Sequence, residues 1–104
     1  MTTMTNSMSS KTNAFLRKNS PNPFKRNAEF KFGVDKEAVV TIEVYDNNGN
    51  KIRTLVDGIQ LAGIYTIVWD GVNESGREAE NGVYCIKMNT GEFTNSMQMI
   101  KMQY

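Results

Sequence analysis

Histidine is absent from the 104 residues of this chain, and cysteine occurs once, at Cys85. Those two shortages exclude a good deal of chemistry. Without an imidazole there is no Ser-His-Asp triad and no Cys-His pair. One thiol with no histidine argues against a zinc site, and a single cysteine closes no intramolecular disulfide. The core must stand without a covalent or metal staple. In a strand, such a cysteine reads as a small buried hydrophobe; a reactive thiol needs a histidine or cationic neighbours. Excess charge is missing as well. Twelve Lys and Arg against 11 Asp and Glu leave a net +1, so no long-range field draws nucleic acid or an anionic membrane. No apolar run approaches the roughly 20 residues that span a bilayer. The start, MTTMTNSMSSKTN, lacks the basic and then apolar regions of a Sec signal peptide. Three readings of compartment follow: a chain kept in the cytoplasm, one exported without a signal, or a piece of a longer secreted chain. An extracellular or cell-surface assembly is the favoured one.

What is present is a succession of short period-two segments. Residues 1–13 are rich in Thr, Ser, Asn and Met and show neither periodicity, so they read as a polar leader, flexible or extended. Both prolines, Pro21 and Pro23, fall in the stretch 14–24, AFLRKNSPNPF; they disfavour helix there and predict an extended segment anchored by Phe15, Leu16 and Phe24. From residue 28 the alternation is regular. AEFKFGV (28–34) sets Phe30 and Phe32 on one face. AVVTIEVYD (38–46) does so with Val40, Ile42 and Val44. Asn48-Gly49 then predicts a tight hairpin turn, because both can take positive φ, into a strand over 51–57 that Asp57-Gly58 ends. IYTIVWD (64–70) puts Tyr65, Ile67 and Trp69 on one face, with Trp69 the largest filler of the core. After the polar loop 70–82, VYCIKM (83–88) turns Tyr84 and Ile86 inward, and a last strand runs over about 93–103. No segment shows a 3.6 period. Six or seven strands spaced by turns argue for an all-β, antiparallel, immunoglobulin-like sandwich over 14–104.

The order of the motifs adds a resemblance. LRKNSPNPF (16–24) is similar to the opening L-x-x-N-x-P-N-P-F of two related bacterial groups. These are the Ig-like domain of flagellar hook-capping proteins and the C-terminal sorting domain of type IX secretion cargo. VTIEVYDNNGNKIRTLVDG (40–58), LAGIYTIVWDG (61–71), SGREAENGVY (75–84) and MIKM (99–102) follow in order. The resemblance singles out Leu16, Asn19, Pro21, Asn22, Pro23, Phe24, Gly49, Asp70, Gly71 and Gly82 as motif positions. It implies a seven-stranded sandwich with no active site, and a role in secretion targeting or in scaffolding an extracellular assembly.

Candidate chemistry is thin beside that. Asp46-Asn47-Asn48-Gly49-Asn50 looks faintly like a calcium loop but lacks the glutamate at the twelfth position; it reads as a turn. Asp70, Asn73 and Glu74 could supply oxygen ligands, yet turn-capping by Asp70 is the simpler role. Arg17, Lys18, Lys25 and Arg26 form a small basic cluster, too narrow for a nucleic-acid face. The expectation is therefore a chain that is not an enzyme, with no catalytic residue, no cofactor and no metal. It is instead a protein-interaction module, a structural or docking subunit with protein partners, self-assembling through its N-terminal arm or its edge strands. The alternatives are a type IX sorting domain and a carbohydrate-binding accessory module.

Overall fold

In the computed structural model, which describes residues 13–19 and 21–103, seven strands form two antiparallel sheets packed face to face. The strands are β1 (Ala14–Lys18), β2 (Ala28–Val34), β3 (Ala38–Tyr45), β4 (Lys51–Gln60), β5 (Gly63–Trp69), β6 (Gly82–Asn89) and β7 (Thr94–Lys101). One sheet has the order β1-β2-β5 and the other β4-β3-β6-β7. The chain crosses between sheets after β2, after β4 and after β5, so neither sheet is a simple meander.

Period-two patterning explains which side chains meet. Phe30, Phe32, Val40, Ile42, Val44, Trp69, Tyr84 and Ile86 are buried, joined by Leu16, Phe24, Ala28, Val34, Met88 and Met99. Register brings Phe32 opposite Tyr65 and Phe30 opposite Ile67 across β2 and β5. The Phe32 and Tyr65 rings stack with centroids 5.0 Å apart. Tyr65 and Ile67 were expected in the core proper, and the structure corrects this to half-burial. They point inward, but β5 is the edge of its sheet, and no other described strand closes over them.

Other expectations are adjusted too. β4 does not stop at Asp57-Gly58 but runs to Gln60, paired with β3 throughout. Gly58 keeps the ladder with a positive φ of 152°. Two register shifts, at Ile42/Glu43 and Val44/Tyr45, leave Leu55 and Ile52 as the extra residues of bulges. That is how Ile52, Leu55 and Val56 all reach the core from a strand with no clean alternation. Cys85 is half-exposed, not a buried hydrophobe; with Tyr84 and Ile86 inward, it must face out, beside Tyr45 and Gln98. Of the expected leader, residues 1–12 lie outside the described residues. Asn13 belongs to the sandwich: its backbone and side-chain N–H groups each donate to the Asp35 carboxylate at 2.9 Å.

At the centre sits Trp69, fully buried. Phe24 lies 5.7 Å from it at 60°, and Tyr84 lies 5.1 Å away edge-on. Trp69→Ala should therefore destabilise the domain by about 3–5 kcal/mol, enough to unfold a molecule of ordinary marginal stability. Denaturant titration followed by far-UV circular dichroism checks this, and a loss under 1.5 kcal/mol would contradict the central place given to Trp69. At the β3–β4 turn Gly49 has φ +87° with open space where a Cβ would go, so Gly49→Val should act through backbone strain alone. It should lower stability by about 1–2 kcal/mol, read as a fall in Tm; an unchanged Tm would show that the turn tolerates another conformation.

Candidate functional site

The motif residues are gathered where the two sheets must be tied together. Leu16 is buried on β1. Asn19, just past β1, is exposed and bonds back to β2: its N–H donates to the Glu29 carbonyl at 2.9 Å and its Nδ2 to Glu29 Oε2 at 2.5 Å. Pro21, Asn22 and Pro23 are exposed, and the Asn22–Pro23 peptide is cis. This bend carries the chain from the three-stranded sheet to the β7 edge of the other. There Asn22 Oδ1 accepts from the Ile100 N–H at 2.8 Å. Phe24 donates to the Ile100 carbonyl and accepts from the Met102 N–H, both at 2.9 Å, in a parallel bridge with Lys101. One short segment thus caps the β7 edge while its phenyl ring enters the core.

The 70–82 loop is equally committed. The Trp69 indole N–H donates to the Val72 carbonyl at 2.9 Å, which satisfies the one polar atom of that ring. Asp70 Oδ1 accepts from the Val72 N–H and from Arg53, both at 3.2 Å. Asn73 Oδ1 takes the Ser75 N–H and hydroxyl and the Arg77 N–H. Glu74 reaches β4, its carboxylate accepting from the Thr54 N–H at 2.8 Å and its own N–H donating to the Ile52 carbonyl at 2.9 Å. Gly71 is buried with φ +81°, and a Cβ there would stand 3.0 Å from the Arg26 carbonyl and 3.1 Å from the Lys101 side chain. Only glycine fits without movement. Gly82 opens β6.

Lys101 was not singled out from sequence. It points inward from β7, 2% exposed, with its Nζ 3.1 Å from Glu78. Lys18 is similar on β1, its Nζ crossing to the Gln98 carbonyl at 2.9 Å. The only sequence signal was phase: both occupy inward positions of their strands. The basic cluster is thereby divided, since Arg17 lies over the Phe15 ring at 4.5 Å on the outer face.

Two open depressions flank the loop end. One, of about 710 Å³, lies between the 46–50 turn and the 70–82 loop. The other, of about 460 Å³, includes Tyr45, Cys85 and Gln98. Backbone N–H groups of the turn, that of Asn50 first, hold the Asp46 carboxyl below its ordinary pKa. The Tyr45 hydroxyl does the same for Glu43, helped by Lys51. Burial, then the charges of Glu80 and Asp46, push the Tyr84 hydroxyl up; that hydroxyl donates to the Glu80 carbonyl at 2.5 Å. Among the described residues no cluster of three or more His, Cys, Asp or Glu could hold a metal.

What faces outward is surface. Val39, Ile59, Leu61, Ile64, Val68 and Met102 are the large exposed apolar side chains. A third, mostly apolar groove of about 340 Å³ runs along Phe15, Gly33 and Ile64, which stand side by side on the outer face of the three-stranded sheet.

The sequence profile of the FlgD Ig-like domain matches residues 19–92. The chain is 34% identical over 61 residues to the basal-body rod modification protein FlgD of Escherichia coli (strain K12), covering 56% of this chain and 26% of that protein. The Salmonella typhimurium protein of the same name is 38% identical over 58 residues, covering 53% and 25%. The chain thus spans about a quarter of the length of the curated relatives it matches. Among solved structures it is similar to dimeric latent PorU from Porphyromonas gingivalis, with TM-score 0.67 and 20% identity over 90% of this chain and 10% of that one. It is also similar to FlgD from Xanthomonas campestris, with TM-score 0.58 and 19% identity over 84% and 65%. At those identities the structural likeness is one of fold.

One side-chain oxygen each of Asp70, Asn73 and Glu74 already accepts from N–H groups of the chain, so calcium would compete with those bonds. Millimolar calcium, or a chelator, should leave Tm unchanged; an upward shift of several degrees with calcium would mean that Asp70, Asn73 and Glu74 rearrange into a cation site.

Proposed function

Because the chain belongs to the FlgD Ig-like domain family, we propose that it is a non-catalytic protein-interaction module, a small structural or docking subunit of a larger bacterial assembly outside the cytoplasm. Its working unit is the sandwich, which Asn13 joins through Asp35, preceded by a leader over 1–12. One observation supports this most directly. The polar side chains of the motif loops, Asn22, Asp70 and Asn73, are engaged in holding strands and turns of the chain itself. The loops give rigidity, and the sheets present surface. The relatives carry names of a basal-body rod modification protein and of hook capping in flagellar assembly, and the same kind of role, with protein partners, is proposed here. A sugar-binding module would use exposed aromatic rings, and Trp69 is fully buried.

The test is made in the cells that produce the protein. Amine-reactive cross-linking followed by size separation and mass spectrometry should find the chain linked to defined protein neighbours in particles larger than one chain. Free single chains in every fraction would overturn the reading.

A further inference from the structure

A sandwich has four sheet edges, and each is a template for another strand. In this chain they are β1, β5, β4 and β7. Three are blunted by recognisable devices. β1 has five residues, with Arg17 outward and Lys18 inward. β7 is capped by Asn22 and Phe24 and carries the inward Lys101. β4 bears Lys51, Arg53 and Asp57, is bent by two register shifts, and is covered by Glu74 at Ile52 and Thr54.

β5 has none of these. Its residues Gly63–Trp69, GIYTIVW, include no charge and no proline, and they pair with β2 without a register shift. No other described strand pairs with its far side. Its outward side chains are Ile64, Thr66 and Val68, with Ile64 66% and Val68 48% exposed. The core does not require them to be apolar. Three polar residues at those positions would leave Tyr65, Ile67 and Trp69 where they are.

The strand is also its own complement. Laid antiparallel on a second copy about Thr66, it sets Ile64 opposite Val68, Tyr65 opposite Ile67, and Thr66 opposite itself. Apolar, aromatic–aliphatic and Thr–Thr pairs are those that stabilise antiparallel ladders. The closest charges on the outer face, Glu29 and Lys31, belong to β2, one strand further in. Lys31 and its symmetry mate would stand three strand spacings apart, roughly 14 Å, beyond the ~8 Å over which charges interact strongly at physiological salt. The net charge of +1 adds little repulsion.

We propose that two copies of this chain associate through β5, antiparallel about Thr66, joining two three-stranded sheets into one continuous sheet. This deepens the assembly reading above and rests on it. The pairing is isologous and closes on itself, so it yields a dimer and not a fibre. It also covers the half-buried Tyr65 and Ile67 from the side that β2 leaves open.

Sedimentation velocity of the purified full chain over a concentration series tests it. The wild type should form a reversible dimer. Thr66→Lys places like charges opposite each other across the dimer and should weaken it by about fivefold or more. Thr66 also stands opposite Lys31 within the chain, so Thr66→Glu, which meets Lys31 with opposite charge, should weaken the dimer to a similar extent without lowering the Tm of the monomer. Mixing Thr66→Lys with Thr66→Glu should restore dimers. In a Cys85→Ser background, Thr66→Cys should cross-link to its own copy under mild oxidant. A strictly monomeric wild type with no Thr66→Cys cross-link would overturn the proposal. So would a dimer indifferent to Thr66→Lys but lost on deletion of residues 1–12, which would assign the contact to that segment. Either result, with the cellular cross-links still present, would leave the assembly reading standing without this interface.

Discussion

The buried indole of Trp69 sets the terms for the rest of the molecule. A ring of that size fills the middle of a thin two-sheet core, and its N–H cannot be left without an acceptor. The Val72 carbonyl supplies one, three residues on. To present it, the chain must turn sharply at once after β5. Asp70 caps that turn, and Gly71 takes the positive φ in a space too tight for a Cβ. The same turn throws the loop across to β4, where Glu74 meets Ile52 and Thr54. Phe24 closes the indole from a segment far earlier in the chain, which fixes the PNPF bend (21–24) against β7. Several motif positions are thus consequences of accommodating one side chain.

That packing also governs the treatment of edges. The bend that delivers Phe24 to the core caps β7 as it goes, and the loop that delivers the Val72 carbonyl covers β4. Both edges of the four-stranded sheet are protected by segments whose first duty is to Trp69. Among the described residues the three-stranded sheet receives no such segment. β1 is short and has lysine and arginine to blunt it, whereas β5 ends at Trp69 itself and stays plain along its length. The asymmetry between the sheets follows from where the loops had to go.

Much of this was legible in sequence, and for a definable reason. Period two assigns each residue to a face, so Phe30, Phe32, Val40, Ile42, Val44, Trp69, Tyr84 and Ile86 could be placed without coordinates, and Asn48-Gly49 announced its turn. What period two does not encode is sheet order. Half-burial of Tyr65 and Ile67 depends on β5 being an edge, which no local pattern states. The bulges of β4 interrupt alternation, so no period-two reading of 51–57 sends both Leu55 and Ile52 to the core. Residue type makes Cys85 a buried hydrophobe, whereas its phase between Tyr84 and Ile86 points it outward. The motif residues were recognisable as a set, but the bond from Ile100 to Asn22 spans nearly the whole chain, and long-range pairing of that kind leaves no trace in a single sequence.

Lys101 carries the argument one step further. A lysine 2% exposed, paired to a carboxylate that is itself 63% exposed, is a poor source of stability, because desolvating the ammonium offsets most of what the pair returns. A methionine would pack there at least as well, as Met97 and Met99 do on the same face. The inward charge makes sense as protection: an incoming strand at β7 would have to displace Phe24, which bridges to Lys101, and crowd the exposed Glu78 carboxylate that keeps the buried ammonium paired. Lys18 does the same for β1. A chain of this size, with no disulfide to strengthen it, accepts a penalty in stability at two edges to keep them closed. Against that background an uncharged, flat, exposed β5 is not simply an edge left untended; among the described strands it is the edge at which the sequence permits a neighbour.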